Sequence, residues 1–185
     1  MNRRTFQGYL FGIISGIAYG LNPFFAKPML DCGIDVNTIL LFRYLLTAIL
    51  MAVIMGFCRY SFRIKREQIF VTIVLGICFS LSSFFLFEAY KYISSGVATT
   101  IVFLYPIMVA IILLFFKEYP SWQVWFAIVL CLLGVAFFSF EEENTLVNFW
   151  GIILSSLSAF SYAVYMVIAE KSSSVRQMPL ISLMF

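Results

Sequence analysis

Residues 8–20 read Gly-Tyr-Leu-Phe-Gly-Ile-Ile-Ser-Gly-Ile-Ala-Tyr-Gly, which places Gly8, Gly12, Gly16 and Gly20 at four-residue spacing inside an otherwise apolar run. Residues four apart lie one above the other on a helix, so the four glycines form one face. The same rungs recur 143 positions later as Gly151, Ser155, Ala159 and Ala163. Without a gap, the same offset pairs Leu10 with Ile153, Ser15 with Ser158, Tyr19 with Tyr162 and Ala26 with Ala169, and it lays Thr38–Phe42 over Ile181–Phe185. A row of small residues lets two helix backbones come close, which is how helices associate where lipid offers no hydrophobic drive between them. The four glycines therefore read as a helix-packing face, and the sequence as one repeat followed by the opening of a second.

Outward from this stretch the composition names the solvent. Hydrophobic residues make up 63% and charged residues 11% of the sequence, against about a quarter charged in soluble domains, and mean hydropathy is +1.00. The chain is expected to be an all-α integral membrane protein. Five long uncharged runs, and a further segment that would qualify but for Arg43, give six spans near Gly8–Met29, Thr38–Cys58, Ile69–Tyr92, Gly96–Phe116, Trp122–Phe140 and Phe149–Ala169. Each is close to the roughly 20 residues that cross a hydrocarbon core. Helices are required because lipid leaves unpaired backbone groups without partners, and the runs are too long and uniform for barrel strands. The basic start of the first run fits a signal peptide, but its apolar stretch is too long and no convincing cleavage site follows. It reads as a retained helix.

Charge sets the expected orientation. With Arg3 and Arg4 inside, Arg59, Arg63, Lys65, Arg66, Lys117, Lys171 and Arg176 fall inside too, while the outer connections carry only Lys27 and Lys91. That asymmetry predicts a cytoplasmic N-terminus in the cell (cytoplasmic, or inner) membrane. The net charge of +3 is a topology device, and no nucleic-acid footprint accompanies it. Without any histidine, a C-x-x-C pair or a cluster of soft or carboxylate ligands at metal spacing, neither a metal nor another cofactor is expected. No phosphate-binding glycine loop or nucleophile–base pair is present, so no enzymatic activity is expected.

The residues that can do chemistry at membrane depth are few. Arg43 and Glu88 lie about five and four residues inside the outer ends of spans two and three, a depth of some 6–8 Å at 1.5 Å per residue. A charge there needs a partner or a wet cavity, so the two are expected to interact, directly or through water. Asn22-Pro23 breaks the end of span one and Tyr105-Pro106 the middle of span four, because proline removes a backbone donor and clashes with the preceding turn. Broken helices at membrane depth are a pointer to a transport site. Ser80, Ser82, Ser83, Thr99 and Thr100 add hydroxyls that can equally bond their own helices.

In order along the chain, Tyr19-Gly20-Leu21-Asn22-Pro23, Leu41-Phe42-Arg43-Tyr44, the connection Ala89-Tyr90-Lys91-Tyr92-Ile93-Ser94-Ser95-Gly96-Val97-Ala98, Tyr105-Pro106 and Lys117-Glu118 resemble the drug/metabolite transporter superfamily, in particular its EamA-type members. The resemblance covers residues 8 to 140. It implies ten helices in two inverted five-helix repeats around a central cavity. Residues 1–143 then form the first repeat, and 144–185 supply the sixth helix and the start of a seventh, a multispan bundle given as an incomplete chain. The inversion agrees with the odd number of spans per repeat. Glu88 occupies a place with no fixed family residue. The implied activity is export of small metabolites or drugs by alternating access; Tyr19, Asn22, Pro23, Arg43, Tyr105 and Pro106 are expected to line the cavity, together with Glu88, chosen only as the intramembrane carboxylate. The partners expected are the lipid bilayer, a small-molecule substrate, and a second repeat or homodimer partner. The alternative is a non-transporting truncated or split segment that serves as a structural or assembly partner.

The orientation can be checked with two native thiols. A membrane-impermeant maleimide should label Cys32 in intact cells and Cys58 only after permeabilisation; the reverse pattern would invert the topology.

Overall fold

The computed structural model describes residues 3–57, 66–117, 122, 124–126, 128–130, 133, 148–172 and 175. All regular structure among them is helical: α1 (Arg3–Gly20), α2 (Asn22–Asp31), α3 (Val36–Phe57), α4 (Arg66–Ala89), α5 (Ser95–Val102), α6 (Tyr105–Phe115) and α7 (Phe149–Lys171). Five stretches among the described residues are long and apolar enough to cross a membrane: Gly8–Asp31, Val36–Phe57, Gln68–Ala89, Ser95–Phe115 and Phe149–Lys171. They correspond to expected spans one to four and six. Most of span five, Trp122–Phe140, lies outside the described residues, although Trp122, Val124–Phe126, Ile128–Leu130 and Leu133 are helical.

Spans one and four are each made of two helices. Pro23 and Pro106 sit in the first turns of α2 and α6, where a missing N–H is tolerated. Proline removes the donor that would have reached the carbonyl four residues back, Tyr19 in one case and Val102 in the other. The chain then bends at Leu21 and at Phe103-Leu104. Between α2 and α3 the tight turn is closed by Gly33 at φ +81°, where a side chain would be strained.

Packing is uneven, as lipid predicts. Large apolar residues such as Phe11, Ile17, Phe42 and Leu46 are more than 60% exposed, the normal condition of helix faces turned to acyl chains. The buried cluster gathers Ala26 of α2, Val36, Ile39 and Leu40 of α3, Leu86 and Phe87 of α4, Tyr90 and Ile93 of the α4–α5 turn, and Ala98 and Val102 of α5. It therefore sits at the end of the bundle where those connections meet. Ser94 caps α5 by accepting from the Val97 N–H at 3.3 Å, which fixes the turn.

The most extensive helix contact is α4 on α7. Gly151, Ser155, Ala159 and Ala163, the second copy of the small-residue row, are all buried on α7. Ser158 Oγ donates to the Ser82 carbonyl at 2.7 Å and Ser82 Oγ to the Ser158 carbonyl at 3.0 Å. Each hydroxyl has one proton, so these reciprocal bonds use both, and the two Oγ atoms come to 3.1 Å. Ser161 Oγ adds a bond to the Cys78 carbonyl at 2.8 Å. The pairs Ile93–Gly151, Ser82–Ser158 and Cys78–Ser161 run in opposite senses along the two helices, so α7 lies antiparallel to α4.

The first copy behaves differently. A Cβ placed on Gly8, Gly12, Gly16 or Gly20 would meet no heavy atom within 4 Å among the described residues. Within the described residues this row is open, and a helix that packs on it would have to come from outside them. The two copies should respond oppositely to substitution. A methyl on Gly151 would stand 2.6 Å from Ile93 Cγ2 and 2.9 Å from its Cγ1, so Gly151→Ala and Ala159→Leu should each cost about 1–3 kcal/mol. Gly12→Leu should change little in the isolated chain. Thermal unfolding in detergent measures all three; equal effects would deny the asymmetry.

Candidate functional site

The break between α1 and α2 delivers a side chain inward. Asn22 is the first residue of α2, and its Oδ1 accepts a hydrogen bond from Arg43 Nη1 of α3 at 3.0 Å. Arg43 lies seven residues past the start of α3, about 10 Å along the helix. Its guanidinium carbon is 5.6 Å from the centroid of the Phe87 ring on α4, a cation–π contact worth about 0.5–1 kcal/mol, more when dry. Phe87 in turn packs on Tyr90, with centroids 5.6 Å apart. Thr99 Oγ1 donates to the Ser95 carbonyl at 2.6 Å, so at the 3.3 Å Tyr90–Thr99 contact the phenol is the donor. The guanidinium of α3 thus joins α2 and α4 directly, and a chain of contacts runs on through Phe87 and Tyr90 to α5.

Glu88 is not part of this node, and the direct form of the expected Arg43–Glu88 contact is not made. It is the next-to-last residue of α4, and its carboxylate pairs with Lys91 in the following turn, Nζ to Oε2 at 2.9 Å and Oε1 at 3.1 Å. Phe87, one residue earlier, is the side chain that faces Arg43. Both Glu88 and Lys91 are partly exposed, and a pair of this kind at a span's end is a local contact of small value.

Tyr105 belongs to a second group. Its ring packs edge-on to Tyr162 of α7 at 4.8 Å. Phe79 of α4 touches Tyr162 at 6.3 Å, Tyr165 at 5.6 Å and Tyr44 of α3 at 6.4 Å. The five rings, contributed by α3, α4, α6 and α7, form a wall that is only half-buried. Tyr44 has a buried hydroxyl with no partner among the described residues, and it also lines an open groove of about 550 Å³ between α3 and α4 with Asn37, Gly76, Ser80 and Phe84.

Of the residues expected at the cavity, Asn22 and Arg43 are brought together, while Tyr105 joins the aromatic wall. Pro23 and Pro106 make the breaks, and Glu88 stands apart. Tyr19 lies in α1, with its side chain outside the described residues. Phe79, Phe87, Tyr90, Tyr162 and Tyr165 were not singled out for the site. The match of Tyr19 with Tyr162 under the repeat offset, and the Tyr162/Tyr165 spacing of three, were the available signals.

No curated protein and no solved structure matches the chain. The profile of the EamA-like transporter family matches residues 6–140, well over half of the sequence and nearly the stretch that carries the ordered motifs. A multispan helical bundle, with helices broken at Asn22-Pro23 and Tyr105-Pro106, is the setting in which that match falls, and the chain belongs to the EamA-like transporter family, whose members are membrane transporters of small molecules.

Proposed function

We propose that this chain walls one side of a small-molecule transporter of the cytoplasmic membrane, with its N-terminus in the cytoplasm, exporting its substrate by alternating access. The observation that carries the reading is the Arg43–Asn22 hydrogen bond. In a transporter family, a polar pair held at a helix break at membrane depth is best explained by a wet cavity beside it. The half-buried aromatic wall around Tyr105 and Tyr162 supplies the apolar surface that such cavities use.

The second half is part of the proposal. Residues 1–143 make one repeat, and 144–185 open an inverted one. The antiparallel seating of α7 on α4 supports this, because α7 aligns with α1 in sequence yet would cross the membrane in the opposite sense. By the same symmetry the open glycine row of α1 is the seat for an α4-like helix outside the described residues, from further chain or from a second copy. That bare face also favours a second reading, in which the chain assembles with a partner and moves nothing itself.

Flux measurements separate the two. In proteoliposomes, accumulation of a panel of radiolabelled amino acids and amphipathic dyes should differ from that in empty vesicles once the second half is supplied. Asn22→Ala and Arg43→Gln should each lower the flux about tenfold or more, as loss of a charge-assisted bond does. Folded wild-type protein with flux equal to empty vesicles across the panel would leave the assembly reading. Right-side-out against inside-out orientation decides export.

A further inference from the structure

We infer that Arg43 and Asn22 form a binding site for an oxyanion, so that the substrate carries a carboxylate or similar acidic group at the end seated against α2 and α3. A guanidinium has five N–H donors and no acceptor. One of them reaches Asn22 Oδ1, and the others meet no acceptor among the described residues. Because arginine can only donate, the orientation of the Asn22 amide is settled: its oxygen is committed and its NH2 group adds two further donors beside the same fork. The site is rich in donors and poor in acceptors.

No carboxylate among the described residues pairs with it. Glu88, the acid at comparable depth, is held by Lys91. The remaining neighbours are Phe87 beneath the guanidinium and the Tyr90–Thr99 pair, whose protons are already directed at Thr99 Oγ1 and the Ser95 carbonyl. A half-buried cation at membrane depth, stacked on an aromatic ring with its fork unfilled, is complementary to a planar oxyanion that can accept two parallel hydrogen bonds. The calling of this anion a transported solute rests on the transporter reading; the site itself rests on the donor geometry.

The test uses the 185-residue chain in phosphatidylcholine nanodiscs, with phenylacetate and its neutral isostere phenylacetamide as probes, and binding read by calorimetry. Phenylacetate should bind about 10- to 100-fold more tightly than the amide, the worth of hydrogen bonds to a charged group. Arg43→Gln should erase the preference. Asn22→Asp should do the same while keeping the fold, because the new carboxylate occupies the fork; circular dichroism and a monodisperse elution profile check the fold. Lys91→Gln should leave the preference intact, and its loss in that variant would move the site to Lys91 and overturn the proposal. Equal binding of the two probes, no binding of either at millimolar concentration, or a preference that survives Arg43→Gln would also overturn it. In phosphatidylglycerol discs the phenylacetate affinity should be unchanged; its suppression there would assign the fork to a lipid headgroup instead of a solute. If flux is found for neutral or cationic solutes and is indifferent to Arg43→Gln, the anion site fails while the transporter reading stands. If phenylacetate binds as stated and nothing is transported, the reverse holds.

Discussion

Lipid tails are as apolar as leucine, so nothing in the bilayer pushes two helices together, and this absence shapes the whole bundle. Contact has to come from close backbone approach and from polar groups that find each other across the gap. The α4–α7 seam supplies both. Gly151, Ser155, Ala159 and Ala163 remove bulk along one face of α7, and Ser82, Ser158 and Ser161 close the seam with bonds to main-chain carbonyls. Each such bond contributes on the order of 0.6 kcal/mol, up to about 1.7. The aromatic wall depends on the same seating, because Tyr162 and Tyr165 reach Phe79 and Tyr105 only while α7 lies on α4.

Much of the architecture could be read from residue order. Span number and approximate ends follow from uncharged length, and the two breaks follow from Asn22-Pro23 and Tyr105-Pro106, because proline acts on the backbone wherever it stands. The partner of a helix face is another matter. The spacing of Gly8, Gly12, Gly16 and Gly20 announces that a backbone can come close without naming which one, and in the described chain it is the offset copy on α7 that is filled. Depth is likewise countable along a helix, whereas direction around its axis is set by packing. Arg43 and Glu88 were matched by depth alone. Glu88 turns to Lys91 at the helix end, and Phe87, about 100° away around the helix, is what Arg43 meets.

Arg43 shows how a charge is kept at membrane depth without an opposite charge. The amide oxygen of Asn22 takes one donor, the Phe87 ring covers a face, and the remainder of the fork stays open. A carboxylate in place of Asn22 would be the stronger partner for the arginine by itself, and it would leave nothing for a ligand to satisfy. The neutral amide orients the guanidinium and adds donors of its own. The proline beside it matters for the same reason, since the break between α1 and α2 is what turns Asn22 toward α3.

The serine contact between α4 and α7 spans 76 residues of sequence, and this separation has a consequence for biogenesis. At about 5–20 residues per second, Ser82 is made some 4–15 s before Ser158. During that interval α7 is absent, and the acceptor open to the Ser82 hydroxyl on its own helix is the Cys78 carbonyl four residues back. In the finished bundle that carbonyl receives Ser161 and Ser82 bonds across to α7. The arrival of α7 is therefore an exchange of acceptors with little net gain in hydrogen bonding. With hydrogen bonding nearly balanced, the close backbone approach along the small-residue face of α7 is what favours the seam, so the late helix is selected by what it lacks.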